Sequence, residues 1–88
     1  MIKIFYTPTF IKQYKKLHLN LQEETKEKIE LFKSFKNHKS LKVHKLKGRL
    51  KDRMSFSVNY SYRIIFQFNK NKKIAILLAI GNHHVYNQ

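Results

Sequence analysis

No cysteine occurs anywhere in the 88 residues. That excludes a disulfide framework and a thiolate metal site. Long apolar runs are missing too. The longest, Ile74 to Ile80, is seven residues, far short of the ~20 needed to span a bilayer as a helix. The opening MIKIFYTPTF has no apolar h-region and no small-residue cleavage site, so nothing in it resembles a secretory signal. Together these absences predict a soluble, cytoplasmic protein. Acid is scarce: five Asp and Glu stand against nineteen Lys and Arg, for a net charge of +14. Four of the acids, Glu23, Glu24, Glu27 and Glu30, lie in one short segment. After Glu30 only Asp52 is acidic, against thirteen basic residues. A polycation of this density repels itself, and phosphates or an acidic protein would relieve that repulsion. A merely lysine-rich solvated surface is the alternative, and charge alone does not separate the two.

The length predicts one domain over residues 1–88. A chain of this size buries roughly 60–65% of the surface its unfolded form exposes, enough for a modest core. Ile2 to Thr7 is rich in β-formers and reads as a strand. Thr7 followed by Pro8 is a helix-start signal, with Phe10, Tyr14 and Leu17 forming one apolar stripe. Asn20 with Glu23 resembles a capping box for a second helix. Its stripe is Leu21, Ile29, Phe32 and Phe35, with Thr25 between, and Glu24 and Lys28 are spaced for an ion pair. Only His18, Leu19 and Asn20 separate the helices, which predicts an antiparallel hairpin. Lys36 to Asp52 reads as a basic loop leading into a strand.

The period then changes to two. Met54, Phe56 and Val58 alternate with Ser55, Ser57 and Asn59. Tyr62, Ile64, Phe66 and Phe68 alternate with Arg63, Ile65 and Gln67. These are two half-buried strands joined near residues 59–61. Asn69 to Lys72 is a turn. The unbroken apolar run 74–80 is a central strand covered on both faces. The predicted order is β-α-α-β-β-β: an α+β domain with an N-terminal helical hairpin on one face of a curved antiparallel sheet. By parity Met54, Phe56 and Val58 face the helices, while Ser55, Ser57 and Arg63 line an open polar face flanked by the basic segment and the tail.

The topology, the segment HKLKG (His44 to Gly48), the strand SYRIIF (Ser61 to Phe66) and the closing IGNHHVY (Ile80 to Tyr86) together resemble the RelE/ParE toxin superfamily. More narrowly they resemble the mRNA-interferase, RelE/YafQ-like branch of type II toxin–antitoxin systems. The resemblance covers nearly the whole chain. It implies a RelE-like fold, an endoribonuclease that cuts mRNA on the ribosome, and a cognate acidic antitoxin as partner. It also implies roles: Arg63 on the scissile phosphate, and His83, Tyr86 and His44 in the catalytic centre. There is a departure, because the lysine pair that RelE carries on its second strand appears here as Ser55 and Ser57. His44 and His83 are then the natural replacements, and which of them is the base stays open. ParE-like members share the fold but inhibit DNA gyrase by protein binding, so that activity, or a non-catalytic basic RNA-binding module, is the alternative.

The residue types suit the chemistry independently. Cleavage of RNA without a metal needs a base for the 2′-OH, charge stabilisation on the phosphorane and an acid for the 5′-oxygen. Histidine ordinarily titrates near working pH and suits both proton transfers. Arginine offers a fork of donors that keeps its charge. Tyrosine supplies a stacking face and a hydroxyl. There is no acidic cluster for Mg²⁺ and no helical H-x-x-x-H, so no metal or other cofactor is implied. Lys45, Lys47, Arg49, Lys51 and Arg53, with Ser55 and Ser57, are the expected RNA-binding residues, of which the basic ones add salt-dependent affinity without sequence readout. His84 is expected to point away from the site, and His18 and His38 to be structural or exposed.

Overall fold

The computed structural model describes residues 1–48 and 52–82. Its elements run β1 (Lys3–Tyr6), α1 (Pro8–Lys15), α2 (Leu19–Phe32), a single 3-10 turn (Phe35–Asn37), β2 (His44–Lys45), β3 (Met54–Ser57), β4 (Tyr62–Phe68) and β5 (Ile74–Asn82). The five strands form one sheet in the order β1-β5-β4-β3-β2. The predicted α+β class and helical hairpin are present, but the sheet is mixed. β1 runs parallel to β5, with Lys3 opposite Ile74 and Tyr6 opposite Leu77, while the other pairings are antiparallel. The hairpin explains the parallel edge. α1 and α2 return the chain to the starting end, so β1 joins a strand that the later β-meander has laid down. Within the stretch read as a loop, His44 and Lys45 add a short edge strand, β2. Among the described residues no helix is long and apolar enough to cross a membrane.

Thr7 caps α1 as expected, its Oγ1 accepting from the Phe10 amide at 3.2 Å. The same hydroxyl donates to the Leu77 carbonyl at 2.8 Å, so one side chain starts the helix and ties it to β5. α2 begins earlier than expected. His18, not Asn20, is the cap, with Nδ1 accepting from the Leu21 amide at 3.4 Å. Tyr14 Oη donates to the Gln22 carbonyl, and Gln22 Nε2 donates to the carbonyls of Tyr14 and Leu17. These bonds close the turn between the helices.

Leu21, Thr25, Ile29 and Phe32 form the buried stripe of α2. The Thr25 hydroxyl donates to the Leu21 carbonyl at 2.7 Å, so its burial leaves no donor unsatisfied. Phe35 does not join the stripe. The helix ends at Phe32, and the 3-10 turn leaves Phe35 55% exposed, resting on His38 and Phe68. Phe32 is the centre of the core. Its ring stacks on Phe56 at 4.3 Å and His38 at 4.7 Å, and meets Phe66 edge-on at 4.8 Å. His38 is structural, bonding the Phe32 carbonyl through Nε2 at 2.7 Å. Glu24 pairs not with Lys28 but with Asn59, whose Nδ2 donates to it at 2.8 Å. At the helix end Lys33 Nζ lies 2.6 Å from Glu30, and that hydrogen bond holds the lysine above its ordinary pKa.

One irregularity sets which residues share a face. Between β4 and β5 the register passes from Ile65 opposite Ala79 to Phe66 opposite Leu77. Leu78 is therefore the extra residue of a β-bulge. Leu77 and Ile80 both pack in the helix-side core, although simple alternation would separate them. Ala79 and Gly81 are left on the opposite face beside Ile65 and Arg63.

Candidate functional site

Two cross-strand rows organise the face away from the helices. One is His44, Ser55, Ile65 and Ala79 across β2, β3, β4 and β5. The other is Ser57, Arg63 and Gly81 across β3, β4 and β5. Residues opposite one another in a ladder point to the same side. The expected parity of Arg63, Ser55 and Ser57 is therefore observed, and His44 joins them.

Openness is another matter. Ser55 is fully buried at 0% exposure, and its neighbour Ile65 is at 3%. The face is covered at that level, and Ser55 presents no surface to solvent. Ser57, one row along, is half-buried, and its amide donates to the Leu41 carbonyl at 2.9 Å. The face is also less polar than expected, since Phe5 and Ile76 pair on it between β1 and β5.

Arg63 is half-buried. Gly81 opposite has no side chain to compete for its space. The guanidinium turns toward the β3–β4 turn, where Nη1 donates to the carbonyls of Asn59 at 2.5 Å and Tyr62 at 3.1 Å. Those bonds occupy one nitrogen of three. Nε and Nη2 make no further hydrogen bond among the described residues, which leaves donors for an anion. Asp52 is not its partner: the ion pairs among the described residues are Lys26–Glu23 and Lys33–Glu30.

His44 is exposed on the edge strand β2. Its Nδ1 lies 2.8 Å from the Lys42 carbonyl. A carbonyl only accepts, so Nδ1 carries a proton, and Nε2 is the ring nitrogen that this bond leaves over. Lys42, whose carbonyl takes this bond, holds a positive φ of 58°. His44 and Arg63 are two strands and two residues apart, about 12 Å between Cα atoms from standard sheet spacings. They share a face, yet the guanidinium leans away from the imidazole.

The basic segment divides. Lys47 and Arg53 are exposed. Lys45 alternates to the side opposite His44 and lines a concavity of about 240 Å³ with Asp52, Lys70 and Lys72. Arg49, Lys51, His83, His84 and Tyr86 lie outside the described residues. His18 is structural, as the α2 cap shows.

Two features escaped sequence reasoning. Tyr60, at the tip of the β3–β4 turn, is 96% exposed. It was hidden because a tyrosine in a turn carries no periodic signal. The other is an apolar groove of about 510 Å³ between α1 and α2, lined by Phe10, Ile11, Tyr14 and Ile29 with Lys15 and Lys26 among its charged neighbours.

A family model described as HigB-like toxin, a RelE-like toxin of type II toxin–antitoxin systems, matches residues 2–80. No curated protein matches the chain. Similar solved structures include YafQ from E. coli strain BL21(DE3), at 19% identity over 97% of this chain and 97% of that one, with a TM-score of 0.76. They also include an archaeal RelE–RelB complex from Pyrococcus horikoshii, at 17% identity over 92% and 93%, with a TM-score of 0.72. The intact E. coli RelBE toxin–antitoxin complex is similar at 19% identity over 93% and 96%, with a TM-score of 0.71. At these identities the likeness shows a common fold. The family match spans β1 through Ile80, the same stretch that builds the sheet and carries His44 and Arg63, and the chain belongs to the RelE-like, HigB-like toxins of type II toxin–antitoxin systems.

Proposed function

We propose that the protein is a metal-independent endoribonuclease that cuts mRNA on the ribosome and so stops translation. The observation that carries this reading is the common face of Arg63 and His44. One has guanidinium nitrogens that bond no described residue, and the other has Nε2 left over by its Nδ1 bond. In the reaction the 2′-oxygen attacks phosphorus, its proton passes to a base, and the P–O5′ bond breaks as an acid protonates the 5′-oxygen. The products are a 2′,3′-cyclic phosphate and a 5′-hydroxyl. Arg63 holds the charge that grows on the non-bridging oxygens. His44 and His83 share the base and acid roles, and Tyr86 orients the nucleotide. Lys47, Arg49, Lys51 and Arg53 position the phosphate chain, and Lys45 extends that contact onto the other face with Lys70 and Lys72.

A net charge of +14 favours rapid encounter with a polyanion such as the ribosome. It equally favours an acidic antitoxin. The apolar groove between α1 and α2, with Lys15 and Lys26 beside it and its acid, Glu30, paired to Lys33, suits an acidic amphipathic helix of that partner.

Primer extension on an mRNA in a translating extract tests the reading. Discrete cuts are expected with the wild type, and their loss with Arg63→Ala and His83→Ala. Growth arrest without cuts would overturn the ribonuclease reading in favour of gyrase inhibition through protein binding.

A further inference from the structure

Among the described exposed apolar side chains, Tyr60 projects into solvent from a locked turn that Arg63 also bonds. It is 96% exposed. The turn beneath it is fastened from several directions. Asn59 Oδ1 accepts the amides of Ser61 at 2.9 Å and Tyr62 at 2.8 Å. Asn59 Nδ2 reaches Glu24 on α2. The Val58 amide donates to the Tyr62 carbonyl at 2.9 Å. The carbonyl that receives Arg63 Nη1 is that of Asn59, which belongs to the peptide unit leading into Tyr60. A position fixed this thoroughly loses little entropy when its ring is covered, because only two side-chain torsions remain to be ordered.

We propose that Tyr60 stacks on an unpaired RNA base and so positions the strand whose phosphate Arg63 holds. The proposal rests on the ribonuclease reading for its substrate. Every base has a π-face, so an exposed ring carried on the turn that Arg63 bonds fits single-stranded RNA of any sequence. The neighbouring surface fits the same occupant. A concavity of about 300 Å³ opens from Tyr60 toward the start of α2, with Tyr62, Asn20, His18 and the Asn59-bonded Glu24 among its walls. Because His18 Nδ1 accepts a backbone amide, Nε2 carries the ring proton and is a donor for a base edge. Base and phosphate are then gripped through one peptide unit, and the strand enters the site in a set direction.

The test uses the full chain and a short single-stranded RNA with 2′-O-methyl riboses, which cannot be cut, alongside cleavage of unmodified mRNA in a translating extract. Tyr60→Ala is expected to weaken RNA binding and raise KM about tenfold with kcat nearly unchanged. Tyr60→Phe and Tyr60→Trp are expected to restore both. The slope of log affinity against log salt stays at the wild-type value for Tyr60→Ala, since no phosphate contact is lost, and falls by about one for Arg63→Ala. Equal binding and cleavage by wild type and Tyr60→Ala would overturn the proposal while leaving the ribonuclease reading intact. Loss of an antitoxin contact without loss of RNA binding would overturn it in favour of a protein surface. If the wild type cuts nothing yet binds the methylated RNA, and Tyr60→Ala weakens that binding, stacking stands and the ribonuclease reading falls.

Discussion

Gln13 Oε1 accepts the amide of Ile80 at 2.9 Å, joining α1 to the far half of β5. β1 stops at Tyr6 opposite Leu77, so β5 runs on past its partner. Thr7 takes the Leu77 carbonyl, and Gln13 takes the next inward-facing donor. Replacing Gln13 with Ala leaves a partly buried amide unpaired. The expected loss is about 1–2 kcal/mol in urea unfolding, with an unchanged m-value. Gln13→Glu, which keeps the acceptor, should recover most of it.

Phe32 joins both layers through Phe56, Phe66 and His38. Phe32→Ala should cost about 3–5 kcal/mol. In a domain of this size that lowers the thermal midpoint by more than about 10 °C. Phe35→Ala, on an exposed ring, should change it by only a few degrees.

The resemblance sets Ser55 and Ser57 against a lysine pair, and in this structure the two serines differ in burial. Ser55→Lys places an ammonium in a fully covered site and should destabilise the fold by about 3 kcal/mol or more. Ser57→Lys, half-exposed beside Arg63, should fold normally and tighten RNA binding. Thermal melts and RNA titration of the two variants check both statements.

His44→Asn retains a donor for the Lys42 carbonyl and removes Nε2. The thermal midpoint should not move, while cleavage falls by about 10²–10⁴-fold if His44 is the base. Undiminished cleavage would assign the base to another group, with His83 next in line.

What the sequence made legible was local. Thr7 and Pro8 marked the start of α1, the spacing of Leu21, Thr25, Ile29 and Phe32 marked α2, and alternation marked β3 and β4. Relations between distant residues were out of reach. Asn59 draws Glu24 away from Lys28 across 35 positions, and no helix rule foresees that. The capping-box spacing at Asn20 was overruled by His18, whose ring nitrogen caps as a carboxamide would. The Leu78 bulge shows only when β4 is laid beside β5, yet it decides that Gly81 faces the same way as Arg63. Arg63 and His44 were singled out on the resemblance and on residue chemistry, and the structure gave each its hydrogen bonds. Parity gave Ser55 its direction and said nothing of its cover.

The parallel pairing of β1 with β5 has a consequence for synthesis. Thr7 and Leu77 are 70 positions apart, and β5 lies between β1 and β4 in the sheet. While the chain is being made, the first strand waits without a neighbour, and the helical hairpin lacks the floor it packs on. Contacts of such separation form late. The sheet closes, and Arg63 meets Gly81, only after translation has passed Gly81, so a nascent or prematurely terminated chain carries the parts of the toxin without its working surface.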